Sequence, residues 1–253
     1  MRTLVAIPVY NEEKYIHRVL SHVLQYADDV LVIDDGSTDR TPLMLPKYPI
    51  DIIRHAKNAG YGLSLLDAFS FADHHGYDWV ITMDCDEQHE PASIPRFVEA
   101  ARENTADLIS GSRYIASMDE STTPPADRRA VNVAMTTEIN DRLGLTLTDS
   151  FCGFKAHRIS AMRRLALTER GYAFPMQLWP QAVAQGLRIS EIPVKLIYKD
   201  LTRSFGATLD DPHVRLAHYR CVLHREIEKH AELLPPAAMA GLVGCSDCDE
   251  DPG

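Results

Sequence analysis

Through residues 3–114 short apolar runs alternate with stretches of helical length, and this alternation constrains the fold more than any other feature of the chain. The runs "TLVAIPV", "DVLVID", "IDIIRH", "YDWVITMD" and "ADLISGSRY" have strand length. Between them, "EEKYIHRVLSHVLQYA", "TDRTPLMLPKY", "GLSLLDAFSFADHHG" and "ASIPRFVEAAREN" carry helical spacing. Strands separated by helices point to β-α-β units: an α/β fold with a Rossmann-like, doubly wound, mostly parallel sheet and helices on both faces. Ligands of such sheets bind beyond the carboxyl ends of the strands. The polar residues that follow those ends are therefore the ones to inspect.

After Tyr114 the pattern loosens. "IASMDESTTPPADRR", Ile115 to Arg129, reads as a mobile loop beside the site, followed by a helix over "AVNVAMTTEINDRLG" that Gly144 ends. Another helix is expected over "FPMQLWPQAVAQG", its start disturbed by Pro180, then a strand in "ISEIPVKLIY" and a last helix near "PHVRLAHYRCVLHREIEKHAELL". At 253 residues and 45% hydrophobic the chain suits one α/β domain, placed at 1–231, with an acidic, partly disordered tail over 232–253. A net charge of −10 argues against nucleic acid or an anionic membrane as the main partner. Cys85, Cys152, Cys221, Cys245 and Cys248 are few and scattered, as in a reduced compartment, and the tail holds one C-x-x-C without a second pair. No apolar run approaches the roughly 18–20 residues needed to span a bilayer, and the start turns polar too early for a signal peptide. A soluble, cytoplasmic protein is expected.

The fourth run ends in "MDCDEQHEP". If the strand continues, Asp84 and Asp86 share one face and Cys85 takes the other. Two carboxylates side by side repel unless a cation sits between them, and oxygen ligands from Asp and Gln88 suit Mg²⁺ or Mn²⁺. The other strand ends agree. "IPVYNEE" presents Pro8, Tyr10 and Glu12, with Asn11 a candidate helix cap. "IDDGSTD" presents Asp35 after a turn at Gly36, with Ser37 or Thr38 a candidate cap. "NAGYG" opens a helix, but Leu65 stands where a third glycine would complete a dinucleotide fingerprint. Phosphate-cradling, zinc-protease and serine-hydrolase motifs are absent from the sequence.

Taken in order, "IPVYNEE", "VIDDGSTDRT", "NAGYG", "MDCDEQHEP", "GSRY", "DSFCGFK" and "YAF…EIPV" resemble family 2 glycosyltransferases of the GT-A fold, in the polyprenyl-phosphate (dolichol-phosphate) mannosyl- and glucosyltransferase branch. The resemblance covers about residues 3–206. It implies that Pro8, Tyr10, Glu12 and Asp35 hold the nucleoside of a GDP- or UDP-sugar, and that Asp84, Cys85 and Asp86 form the D-x-D, with Asp84, Asp86 and Gln88 as metal ligands. It places Arg113 and Arg158 near the donor, and Lys199 and Arg203 near a basic segment that meets phosphates.

Breaking a glycosidic bond to a nucleoside diphosphate builds negative charge on the leaving phosphate, which a divalent ion and arginines stabilise. Asp86 and Arg113 are thus the candidate catalytic groups, with Asp149 of "TDSFCGF" as a candidate general base. Two departures bear on the acceptor: Gln177 stands where relatives commonly have glutamate, and "IYKDLTRSFGATLDDP" lacks the branch's R-x-x-G-x-S pattern. Lys155, Arg158, Lys199 and Arg203 favour polyprenyl phosphate, with peripheral attachment to the inner membrane face through the loop or the last helix. A soluble sugar or small hydroxyl acceptor, or a nucleotide-sugar-binding module without catalysis, remain the alternatives.

Overall fold

The computed structural model describes residues 1–115, 124–195, 197 and 207–242. Among these, seven strands form one sheet: β1 (Thr3–Val9), β2 (Val30–Asp34), β3 (Asp51–Arg54), β4 (Trp79–Thr82), β5 (Leu108–Ser112), β6 (Lys155–Arg158) and β7 (Ile189–Pro193), in the order β3-β2-β1-β4-β6-β5-β7. All neighbours run parallel except β6, which is antiparallel to both β4 and β5. Eight α-helices accompany it: α1 (Ile16–Val23), α2 (Thr41–Met44), α3 (Tyr61–His74), α4 (Ile94–Arg102), α5 (Ala126–Leu143), α6 (Ile159–Met162), α7 (Phe174–Ala184) and α8 (Pro212–Lys229).

Period-2 alternation divides the strand side chains between two cores. Leu4, Ala6, Leu31 and Ile33 pack with α3, α5, α7 and α8, while Val5, Ile7, Val9, Val30 and Val32 pack with α1 and α4. All five residues of β2 are buried, as a parallel strand covered on both faces requires. The sheet is the mostly parallel, doubly wound one that the apolar runs predict.

The second half departs from expectation in several places. Strand β6, "KAHR", was not anticipated, because four residues of which three are polar carry no strand signal. Helix α5 begins at Ala126, four residues before its apolar pattern, with Pro125 at its N-cap and Asp127 favourable to the dipole in its first turn. Helix α7 runs through Pro180 instead of being disturbed at its start. On α8, Tyr219, Val222 and Leu223 are buried and Leu216 packs against the core, so the face considered for membrane attachment is a core face.

The chain stays packed beyond 231. Ala238 is buried, and the Arg142 guanidinium donates to the carbonyls of Ala238 (2.9 Å) and Ala240 (2.7 Å), fastening this segment to α5. Residues 243–253, including Cys245 and Cys248, lie outside the described residues, as does most of the expected mobile loop, 116–123. Cys85 and Cys152 are free and buried, whereas Cys221 is disulfide-bonded, which departs from the expectation of a reduced compartment. Among the described residues, no helix is long and apolar enough to cross a membrane.

Candidate active site

The loops beyond the carboxyl ends of β1, β2 and β3 are tied to one another. Asn11, at φ 56°, accepts at Oδ1 from the backbone N–H groups of Thr38 (2.8 Å) and Asp39 (3.2 Å), and its own N–H donates to Ser37 Oγ (2.9 Å). The N–H of Glu12 donates to Thr41 Oγ1 (2.9 Å). Asn11 is therefore a strut between loops and not a helix cap, and α2 has no side-chain cap from Ser37 or Thr38. Gly36 sits at φ 72°, and a Cβ there would fall 2.4 Å from the Lys57 carbonyl carbon, so only glycine lets the loops after β2 and β3 touch.

These loops open onto a cavity of about 1050 Å³. Pro8, Tyr10, Glu12 and Asp35, expected at a nucleoside, line it, and so do Asp84, Cys85, Asp86, Gln88 and Arg113. The sheet edge thus brings together nine of the candidate residues from three separate motifs and from "GSRY".

Asp84 is held from three sides. Its Oδ1 accepts from the Tyr61 hydroxyl (3.2 Å), its backbone N–H donates to His89 Nδ1 (3.0 Å), and its carboxylate lies against Gly153, where a Cβ would come within 2.6 and 2.8 Å of the two oxygens. His89 is buried, and burial pushes its pKa down to about 4, consistent with a neutral ring accepting at Nδ1. Asp86 Oδ1 accepts from the Gln88 N–H (3.0 Å), and Cys85 is buried against the core; β4 ends at Thr82, so these residues lie on the bend after the strand and not on a continued strand. Two carboxylates and an amide oxygen at a cavity wall fit a hard divalent ion. Among the described residues, no group of three His, Cys, Asp or Glu is placed to hold a metal. Asp84, Asp86 and Gln88 are the residues that would hold such an ion, and Mg²⁺ commonly completes its shell with ligand phosphates or water.

Arg113 owes its place to Asp149. The carboxylate receives Arg113 Nε (2.6 Å) and Nη2 (2.9 Å) in a bidentate pair, together with Asn132 Nδ2 (2.8 Å). Asp149 is wholly buried; burial would raise its pKa, but Arg113 and Asn132 hold it down to about 2. A carboxylate so low and so fully occupied is a poor proton acceptor. The reading of Asp149 as general base is corrected: it anchors the arginine.

Arg158 is also corrected. Because β6 runs antiparallel, Lys155 pairs with Thr82 at the carboxyl end of β4 while Arg158 pairs with Trp79 at the opposite end. There Arg158 bonds Asn104 (2.6 Å) and the Ala106 carbonyl (2.9 Å), lies 3.0 Å from Asp107 and covers the Trp79 ring. It is a structural residue remote from the cavity. Lys155 does line the cavity, buried, with its ammonium donating to the Cys152 carbonyl and its pKa lowered by burial. Lys199 and Arg203 lie outside the described residues.

The second half adds further cavity residues. Tyr172 stacks on Tyr61 with ring centroids 5.8 Å apart, and Arg128, Arg170, Arg215 and His218 complete that wall. Tyr61 and His89 lay within the quoted motifs "NAGYG" and "MDCDEQHEP". Arg215 and His218 share one face of α8 by their i, i+3 spacing, a signal overlooked beside the apolar stripe.

Comparison with known proteins agrees with this architecture. Over 214 residues the chain is 31% identical to an undecaprenyl-phosphate mannosyltransferase of Micrococcus luteus, covering 81% of this chain and 87% of that one. It is 26% identical over 231 residues to a polyprenol monophosphomannose synthase of Mycolicibacterium smegmatis, covering 86% of each. Among solved structures, glucosyl-3-phosphoglycerate synthase of Mycobacterium tuberculosis, in complex with Mn²⁺, UDP and glucosyl-3-phosphoglycerate, superposes with a TM-score of 0.65 at 18% identity over 92% of this chain and 81% of that one. That likeness establishes the α/β GT-A-like fold. The family model of glycosyl transferase family 2 matches residues 4–166, and the chain, with its strand ends converging on one acidic-edged cavity, belongs to that family.

Proposed function

We propose that this glycosyltransferase moves a sugar from a UDP- or GDP-sugar, with Mg²⁺ or Mn²⁺ at the Asp84–Asp86–Gln88 edge, to a small soluble acceptor that carries an anionic group. The observation that carries the reading is the single cavity joining that acidic edge to Arg128, Arg170, Arg215 and His218. A diphosphate and a second anion in one cavity need both the cation and a separate set of basic groups. A bound divalent ion would offset charge on the leaving diphosphate. Arg113, fixed by Asp149 at the cavity wall, and Lys155, buried beside it, add positive charge where that diphosphate departs. Preorganisation matters here, since a guanidinium already clamped needs no reorientation during transfer. The tyrosine pair Tyr61–Tyr172 offers an aromatic surface for a sugar ring. Structures of the same fold with phosphoglyceric acid bound support the soluble acceptor.

A second reading, transfer to polyprenyl phosphate, rests on two observations. The Micrococcus and Mycolicibacterium relatives bear names of that activity. Withdrawal of Asp149 as a base also favours an acceptor whose attacking oxygen is already anionic. Transfer of radiolabelled glucose and mannose from UDP- and GDP-sugars separates the two. We expect label in phosphoglyceric acid or a comparable soluble anion. Label only in undecaprenyl phosphate presented in detergent would overturn the soluble acceptor while leaving the sugar transfer intact.

A further inference from the structure

His55 follows β3 and stands behind the cavity wall. Its Nδ1 is 2.6 Å from Asp35 Oδ1, and its Nε2 is 2.7 Å from Asp67 Oδ2 on α3. Ionised carboxylates only accept hydrogen bonds, so a ring that bonds one at each nitrogen must donate from both and is an imidazolium. The surroundings agree: burial opposes the charge, but Asp35 and Asp67 together raise the pKa above the ordinary histidine value.

Asp35 passes this constraint on. Its Oδ1 also accepts from the N–H of Ala59 (2.8 Å), and its Oδ2 from the N–H of Gly60 (2.9 Å). The segment it orients, Lys57 to Gly60, is cavity wall. The other charged groups on the flanking segments are Asp34, Arg54 and Lys57; the Arg54 guanidinium lies 3.2 Å from Asp34, which leaves the ring to Asp35 and Asp67.

We propose that His55 is a positioning residue of the nucleotide subsite: bridging Asp35 and Asp67 as a cation, it fixes the Asp35 carboxylate and the 57–60 segment in the arrangement that receives the donor's nucleoside. The inference rests on the nucleotide-sugar reading above. A neutral ring donates from one nitrogen only, so deprotonation releases one of the two carboxylates. Because the pKa is raised, the bridge is complete below the ordinary histidine value and is lost as pH rises through the folded-state value.

The test is calorimetric titration of UDP and GDP with Mg²⁺ between pH 6 and 9.5 into the full-length protein, its Asp67→Asn and its His55→Asn variants, paired with NMR titration of the His55 ring. In the wild type, affinity is expected to fall on the order of tenfold, the worth of one charge-assisted hydrogen bond, with the same midpoint as the ring. Asp67→Asn removes one of the two anions that favour the imidazolium, so both midpoints move together to lower pH. His55→Asn binds weakly at every pH; if it fails to fold, the Asp67→Asn comparison decides alone. Affinity that stays flat through the ring's midpoint, or a ring midpoint that moves in Asp67→Asn without the binding midpoint, overturns the inference. Failure of both nucleotides to bind the wild type at any pH refutes the nucleotide reading and, with it, this one.

Discussion

Asp149 and Arg113 show how a residue's surroundings decide its chemistry. The aspartate's side chain is entirely out of solvent, and its charge is tolerable only because a guanidinium and an amide meet it. Asp149→Asn removes the charge that a half-buried arginine meets on its inner side, and we expect a loss of about 3 kcal/mol in urea unfolding. Nucleotide affinity should fall as well, because Arg113 is then free to leave the cavity wall. Unchanged stability would show that the pair is not buried as described. The residue-level signals in the sequence were the D-x-D, the tyrosine and acids of "IPVYNEE", and Asp35, each legible because the side chain immediately follows an apolar run. Asp149 was visible as an acid but not as an anchor, since its partners Arg113 and Asn132 are 36 and 17 residues away.

Elements place these residues, and strand direction decides which arrive. The parallel strands could be read from apolar runs, so their carboxyl ends were identified correctly. Strand β6 could not, and its reversed direction brings Lys155 to the cavity while carrying Arg158 away. The start of α3 was legible only in part: "NAGYG" signals a turn, but not what approaches it. The Arg170 carbonyl accepts from the N–H groups of Gly62 (2.6 Å) and Leu63 (3.2 Å), and a Cβ on Gly62 would come within 2.3 Å of the neighbouring Glu169 carbonyl oxygen and 3.0 Å of the Arg170 oxygen. Gln177 holds the same loop from behind, its Oε1 accepting from Thr168 (2.6 Å) and Glu169 (2.8 Å) while its amide donates to buried Glu226 (3.2 Å). The glutamine at this position therefore positions the loop, a role a glutamate beside Glu226 would fill poorly. Gly62→Ala should destabilise the protein by about 1–3 kcal/mol through forced backbone displacement. Because Arg170 and Tyr172 line the cavity, it should also raise the donor KM, measured against Gly186→Ala as a control remote from the site. Gly186 sits at φ 62°, so its alanine variant also loses stability, and the comparison is read in KM: an equal donor KM in the two variants would contradict a close approach at α3.

For the molecule as a whole, three acids govern behaviour at low pH. Asp107 is held down to about 2 mainly by Arg188, Glu138 to about 2 mainly by His224 with Arg220 and Arg142, and Asp149 to about 2 by Arg113 and Asn132 against burial. Their folded values lie below the ordinary 3.8 of aspartate and 4.5 of glutamate, so the stabilisation is present above those values and is lost as pH falls through about 2. Urea midpoints should decline steadily between pH 5 and about 2, and Glu138→Gln should flatten part of that slope. A midpoint independent of pH in this range would remove these pairs from the stability of the fold. The central claim, that the acidic sheet edge binds a nucleotide sugar together with a divalent ion, is tested most directly by thermal unfolding with UDP- and GDP-sugars, with and without Mn²⁺. At a hundredfold excess over Kd, binding to the native state contributes about 2.7 kcal/mol, which for a chain of this size raises Tm by roughly 5–10 °C. The account predicts that rise for one of the two nucleotide sugars only when Mn²⁺ is present, and its loss in a folded Asp86→Ala variant; an equal rise in Asp86→Ala, or no rise with either nucleotide sugar, would contradict it.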